Sequence, residues 1–243
     1  MTVIVTMAGA GSRFRNQGYE VPKHMIRARG KTLFEWSLES LREFFSQHFI
    51  FACLAEHDSV WIKTKAMALG VASATVAPRA ALSAGQSQTA YDVLDHANAD
   101  EAAWIYNIDT YIEHGLSPSD MAGHQGCVHV FESQNPGMSF VRYDEAGRVV
   151  ELAEKKVISN WATVGVYGFS SAGLYRKLYE QAYHAGGVKE VGGERYVAPM
   201  YQLLLAAGQS VGAPRLDRSA VHILGTPQEV LEFDPMIKPP YGS

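Results

Sequence analysis

Thr2-Val3-Ile4-Val5-Thr6-Met7 runs directly into Ala8-Gly9-Ala10-Gly11-Ser12-Arg13-Phe14, and this junction sets the fold. The first six residues are short and rich in β-branched side chains, which reads as a buried strand. The glycines that follow let a backbone approach a phosphate closely and aim its N–H groups at the oxygens. Arg13 adds a planar, permanently charged fork for the same oxygens. The segment lacks the third glycine of a dinucleotide fingerprint, no helix is expected to open at once, and no Gly-Lys-Ser/Thr completes a Walker A loop. Up to residue 31 the chain stays aperiodic and basic: Arg13, Arg15, Lys23, Arg27, Arg29 and Lys31 face a single acid, Glu20, in a chain of net charge −4. A confined basic stretch in an acidic protein suits a small anionic ligand. Nucleic acid would select a basic domain, so it is not an expected partner.

Working outward, Phe34, Leu38, Leu41 and Phe45 fall on one face of a helix starting near Thr32. Phe49 to Leu54 reads as a second strand, Asp58 to Leu69 as a helix stopped by Gly70, and Val71 to Val76 as a third strand. A Gly/Ser loop around Ser83 to Ser87 leads into a helix reaching about Ala97. Ala103 to Ile108 is another buried strand, with Asp109 at its C-terminal end. This alternation implies crossover units and a mostly parallel sheet. After about residue 126 the texture changes to short strands at Val128 to Phe131, Ser139 to Tyr143, Arg148 to Ala153 and Gly165 to Phe169, with Asp144 to Gly147 as a hairpin turn. Helices near Ser171 to His184 and Tyr196 to Ala207, a strand at Val221 to Leu224 and a final helix complete the chain. Residues 1–125 are expected to bind a nucleotide-like ligand at strand ends, and 126–243 to carry its partner substrate, within one domain.

The 243 residues can bury a full core without staples, and 47% hydrophobic with 19% charged residues is ordinary globular composition. Apolar runs such as Phe49 to Ala55 fall far short of the roughly 20 residues of a membrane span. No signal peptide is visible at the N-terminus. Cys53 and Cys127 are too few for a disulfide framework, and a reducing cytoplasm is the expected compartment. The nine histidines form no HExxH pattern, and His124 and His129 lack nearby cysteine or carboxylate partners, so structural zinc is not expected.

Two further segments carry chemistry. Asp109 places a carboxylate at the exit of a buried strand, and Mg²⁺ typically takes one or two carboxylates plus substrate phosphates and water. Gly85-Gln86-Ser87-Gln88-Thr89 is a polar helix start in which Ser87 or Thr89 would cap. Thr89 stands where a nucleophile elbow needs glycine, which excludes a serine hydrolase.

Met7 to Phe14, followed by Val21-Pro22-Lys23 and Gly30-Lys31, resembles the nucleotidyltransferases of the nucleoside-diphosphate-sugar pyrophosphorylase superfamily. The likeness continues through Gly85 to Thr89, Tyr106 to Thr110, Glu151-Leu152-Ala153-Glu154-Lys155, Trp161 to Tyr167 and Leu224-Gly225-Thr226-Pro227-Gln228-Glu229. It implies a glycosyltransferase-A-like, Rossmann-related α/β fold with a mostly parallel mixed sheet flanked by helices. It also implies that Ala8, Gly9, Gly11, Ser12 and Arg13 hold an incoming NTP and that Lys23 reaches the reacting phosphate. Gly85, Gln86 and Thr89 would read the nucleobase, and Asp109 would bind Mg²⁺. Asn107, Glu154, Lys155 and Gly165 would hold a phosphorylated small-molecule acceptor. The activity implied is NMP transfer with release of pyrophosphate, first to a sugar 1-phosphate for surface polysaccharide. The alternative is cytidylyl transfer to a phospho-alcohol or phospho-amino compound, and further off a nucleotide-sugar-dependent glycosyltransferase. Homo-oligomerisation is left open.

One position departs from the family. Many members carry a second metal-binding Asp two residues before the Gly-Thr, where this chain has Ile223 beside His222. One carboxylate completed by phosphates, substitution by His222 or another residue, and weakened catalysis are the three alternatives.

Overall fold

The computed structural model describes residues 1–237. In chain order the regular elements begin with β1 (Thr2–Thr6), α1 (Ser12–Arg15), β2 (Arg27–Ala28), β3 (Lys31–Thr32) and α2 (Leu33–Glu39). They continue with β4 (His48–Leu54), α3 (Ser59–Ala68), β5 (Ser73–Arg79), α4 (Gln86–Tyr91), β6 (Ala103–Asn107) and β7 (Thr110–Ile112). The remainder comprises β8 (Gly126–Glu132), β9 (Ser139–Tyr143), β10 (Val149–Glu154), β11 (Trp161–Phe169), α5 (Ala172–Tyr179), α6 (Tyr201–Ala206), β12 (Val211–Gly212), β13 (Val221–Ile223) and α7 (Pro227–Phe233). Among the described residues no helix is long and apolar enough to cross a membrane.

Strands β5, β4, β1 and β6 are parallel neighbours, and β11, β9 and β10 extend the sheet antiparallel, in the order β10-β9-β11-β6-β1-β4-β5. β8 pairs with β11, and β12 with β8. This is the mostly parallel mixed Rossmann-like sheet that the sequence implies. Side chains alternate across it as strand geometry requires. Val3, Val5, Phe49, Phe51 and Trp104 pack on one face with Phe34 and Leu38 of α2, and Ile4, Ile50, Ile105 and Val128 pack on the other with Tyr175 and Tyr201. A smaller third cluster joins Phe14, Tyr19 and Leu33 near the N-terminus to Leu224, Val230 and Phe233.

β11 is the joint between the two halves. Its first residues pair with β9 and its last with β6, while its other edge pairs with β8 on both sides of an irregularity between Thr163 and Tyr167. Gly165, at φ +82°, lies in that irregularity, and a Cβ there would stand 2.5 Å from Nδ2 of Asn107. Glycine therefore lets the strand change neighbours and lets the end of β6 press against it.

Several boundaries differ from the sequence expectation, each for a physical reason. A one-turn helix, α1, does open directly after Gly11, which at φ +61° supplies the left-handed residue before it. The helix expected through Phe45 stops at Glu39, because the Ser40 hydroxyl turns inward to accept the Ile112 N–H (2.8 Å) and the Tyr106 hydroxyl (3.0 Å). Val71 does not begin a strand; its N–H closes α3 by donating to Ala66 O after Gly70 (φ +107°), and β5 starts at Ser73. The helix expected from Tyr196 starts only around Pro199, which is tolerated in a first turn but not deeper in a helix. Beyond Gln86 to Tyr91 the expected long helix is a short 3₁₀ turn at Leu94–His96. Neither Ser87 nor Thr89 caps α4; Gly85 (φ +123°) is its N-cap.

Candidate active site

The parallel strands β1, β4 and β6 all end on one side of the sheet, and a cleft of about 780 Å³ opens there. Crevices outside the carboxyl ends of such strands are where open α/β sheets bind ligands. Ala8, Gly9, Gly11, Ser12 and Arg13 line one wall. The backbone N–H groups of residues 9 to 13 find no acceptor among the described residues, so five consecutive donors remain for an anion. Gly85, Gln86 and Thr89 lie beside this wall. Thr89 is buried with its hydroxyl on Gly85 O (3.2 Å), and Gln86 donates to Oδ1 of Asn107, so these side chains brace the loop.

Lys23 and Asp109 meet at the floor. Lys23 sits on a 3₁₀ turn after Pro22, Asp109 follows β6, and Nζ donates to Oδ2 at 2.9 Å. The pair is part-buried, with side-chain exposures of 17% and 35%, and lines the cleft, so it remains open to ligand. His24, 2% exposed, follows on the same turn with its Nε2 unpartnered, 4.6 Å from the ring of His57. Burial, and then the neighbouring His57, pull the His24 pKa down to about 3. The unfolded chain takes up a proton near pH 6.5 that the folded chain resists. Stability is therefore intact above about 6.5 and is lost as pH falls toward 3, by up to about 1.4 kcal/mol per pH unit. Thermal unfolding should show Tm falling from pH 7 to 5, with His24→Asn flattening that dependence. An unchanged slope in the variant would remove His24 from this role.

The far wall is built from the second half of the chain. Glu154, at the end of β10, accepts from the Ser139 hydroxyl, and burial pushes its carboxyl above the usual range. Tyr167 joins the same network through the Ser139 hydroxyl (3.5 Å), and its own hydroxyl also meets that of Thr163 (3.0 Å). Glu194 and Tyr196 also line this wall and hydrogen-bond to each other. Lys155 does not line the cleft. Its backbone is in the left-handed region (φ +51°), and Nζ bonds to the Tyr196 hydroxyl, 3.6 Å from the Glu194 carboxylate. The structure therefore brings together every predicted site residue except Lys155. The sequence reading missed His24, His57, Glu194 and Tyr196; a Gly-Gly-Glu-Arg-Tyr stretch at 192–196, polar with one aromatic, was the available signal for the last two.

The roof comes from β13 and α7. β13 pairs antiparallel with β7, and Leu224 N–H donates to Asp109 O at 2.7 Å, which brings Gly225 and Glu229 over Asp109. Pro227 starts α7, and Thr226 caps it. A Cβ on Gly225 would stand 3.3 Å from Oε2 of Glu229, 3.6 Å from Oδ2 of Asp109 and 3.9 Å from Cγ2 of Ile223. Two hard carboxylate oxygens thus border one small space that glycine keeps free, a donor set suited to Mg²⁺ when phosphates and water supply the rest. Among the described residues no three His, Cys, Asp or Glu groups come together as a metal cage. His222 does not reach this space; it pairs with Glu113 (2.9 Å) and stacks on Tyr111.

The mixed sheet and its flanking helices are the Rossmann-like α/β fold of the nucleotidyltransferases, as the likeness to solved structures shows. No family model and no curated protein matches the sequence. Among solved structures, the nucleoside-diphosphate-sugar pyrophosphorylase from Vibrio cholerae RC9 is similar at 29% identity and TM-score 0.87, over 96% of this chain and 99% of that one. The inositol-1-phosphate CTP transferase from T. maritima is similar in fold at 18% identity and TM-score 0.71, over 96% and 94%. A candidate glucose-1-phosphate thymidylyltransferase from Bacillus anthracis is similar at 15% identity and TM-score 0.76, over 97% and 95%. The chain resembles the nucleotidyltransferase superfamily along nearly its whole length.

Proposed function

We propose that this protein transfers NMP from an NTP to a phosphorylated small molecule and releases pyrophosphate. The observation that carries the reading is the cleft itself, where a run of free amide donors faces the Lys23–Asp109 pair across a space open to a second substrate. In this reading the loop amides and Arg13 hold the triphosphate, and Lys23 steadies charge developing at the α-phosphate. Glu154 and the network around it hold the acceptor so that its phosphate attacks in line. A phosphate oxygen is already a competent nucleophile at pH 7, so positioning and charge neutralisation carry the catalysis. Asp109, with phosphate oxygens and water, would hold Mg²⁺, which supplies further neutralisation between the phosphates.

A sugar 1-phosphate for surface polysaccharide is the acceptor that the family resemblance favours. One observation favours the second reading, cytidylyl transfer to a phospho-amino or phospho-alcohol compound. The charged side chains of residues 126–225 that reach the cleft are Glu154 and Glu194, with no Lys or Arg among them, and Tyr167 and Tyr196 lie beside them. Carboxylates next to aromatic faces suit an ammonium group.

The test is pyrophosphate release with Mg²⁺, crossing the common NTPs against sugar 1-phosphates, amino-sugar 1-phosphates, phosphoethanolamine and phosphocholine. Release with one NTP–acceptor pair is expected. Silence across the panel, together with no NTP binding, would overturn the assignment. Glu154→Gln should raise the acceptor KM at least about tenfold while leaving the NTP KM unchanged, because it removes one charged partner of the acceptor alone. Equal effects on both substrates would place Glu154 elsewhere.

A further inference from the structure

Ile223 stands where the family resemblance implies a second metal-binding carboxylate, and the structure shows which side chains border that position. The Ile223 side chain, the Asp109 carboxylate and the Glu229 carboxylate all border the point where a Cβ of Gly225 would lie, within 4 Å of it. An acid at 223 would therefore project into the same space that Glu229 occupies from α7. We propose that Glu229 is the second carboxylate of a divalent-cation site with Asp109, replacing the missing acid at position 223. This rests on the reading of the cleft as an NTP site.

Two observations distinguish Glu229 from an ordinary helix-start glutamate. Thr32 and Glu35 of α2 show what a completed capping box looks like: the Thr32 backbone N–H donates to the Glu35 carboxylate at 2.8 Å and Glu35 N–H returns to the threonine hydroxyl. At α7 only part of that box is present. Glu229 N–H donates to the Thr226 hydroxyl (3.2 Å), and that hydroxyl donates to Oε2 (2.9 Å), but the Thr226 N–H does not engage the carboxylate. Among the described residues Glu229 also has no ion-pair partner, whereas Glu35 is paired with Lys65 at 3.2 Å. Asp109, by contrast, is ion-paired with Lys23 (2.9 Å) through Oδ2, the oxygen that borders the space shared with Glu229. A carboxylate lining a binding cleft without a counter-charge, beside a second carboxylate and a glycine that leaves room between them, is a place for a cation. Mg²⁺ and Mn²⁺ accept two carboxylates, directly or through water, and draw their remaining oxygens from phosphates.

The experiment is Mn²⁺ binding to the full chain, followed by electron paramagnetic resonance, with Mn²⁺ alone and with Mn²⁺ plus inorganic tripolyphosphate. Tripolyphosphate binding is measured separately by calorimetry. Glu229→Gln keeps the size of the side chain and the threonine cap, so thermal unfolding should be nearly unchanged. Its Mn²⁺ affinity should fall at least about tenfold, on the scale seen when a metal site loses a supporting group. Adding Ile223→Asp to Glu229→Gln should restore much of that affinity, because the new carboxylate points into the same space. Wild-type Mn²⁺ affinity in Glu229→Gln would overturn the proposal. So would a loss that Ile223→Asp does not recover, which would assign the effect to the start of α7. Tripolyphosphate binding without any Mn²⁺ dependence would sink the cation site but leave the NTP reading standing, whereas no binding of either probe would remove both.

Discussion

Replacing Lys23 by alanine is expected to lower the turnover of NMP transfer at least about 10²-fold, the scale of a single preorganised electrostatic contact at a reacting phosphate. Asp109→Ala should do the same. The two side chains start on segments 86 residues apart and meet at 2.9 Å on the floor of the cleft. Both remain partly accessible in the cleft, so part of their mutual attraction is screened. Large losses in kcat should therefore come with thermal unfolding shifted by no more than the equivalent of about 1 kcal/mol. Steady-state pyrophosphate release and a thermal melt on each variant make the check. Near-normal turnover in both variants, with the fold intact, would sink the proposed chemistry.

The second large effect is structural. Gly85→Ala is expected to destabilise the protein by roughly 2–4 kcal/mol, combining a backbone conformation foreign to L-residues with a steric clash. At φ +123° the residue lies where a side chain is strained, and the added Cβ would stand 2.6 Å from O and 2.8 Å from N of Arg195. Both contacts are backbone, so neither can swing aside. Arg195 is also where the loop is anchored: its carbonyl accepts from Ser87 N–H (3.1 Å) and from the Ser87 hydroxyl (2.8 Å). Pushing Arg195 away would shift its neighbours Glu194 and Tyr196, which line the acceptor wall. For a chain of this size the melt should drop by roughly 5–12 °C, and affinities for both substrates should fall together. A melt within a degree of wild type would mean that the loop tolerates another path.

The parts of the fold legible in the sequence were those whose code is local. Thr2 to Met7, Phe49 to Leu54 and Ala103 to Ile108 are runs of branched and aromatic residues bounded by turns, and all three are central strands. The glycine loop and Asp109 could be placed because each follows such a strand, and Pro22-Lys23 because of the family resemblance. What remained hidden depends on distant partners. α2 ends where it does because Ser40 serves Tyr106 and Ile112, some 70 residues on, and nothing near Ser40 announces it. β13 was expected at Val221 to Leu224, but its partner β7 is only three residues long, too short for any periodicity to reveal the ribbon. Glu229 was visible as part of a turn, but its proximity to Asp109 exists only once that ribbon forms. His24 and His57 carried no pattern of their own, and their interest lies entirely in burial and mutual contact.

That same ribbon governs when the site comes into being as the chain is made. The floor and the anion-holding loop are encoded in the first 110 residues, but the roof over Asp109 hangs on β13 and α7, which lie beyond residue 220. A polypeptide emerging vectorially from the ribosome can therefore order its central parallel strands long before it owns a closed cleft. Throughout that interval the glycine loop lacks the packing of Phe14 against the cluster that includes Leu224, Val230 and Phe233. The cleft over Asp109 thus takes its final form only once β13 and α7 have been made and packed.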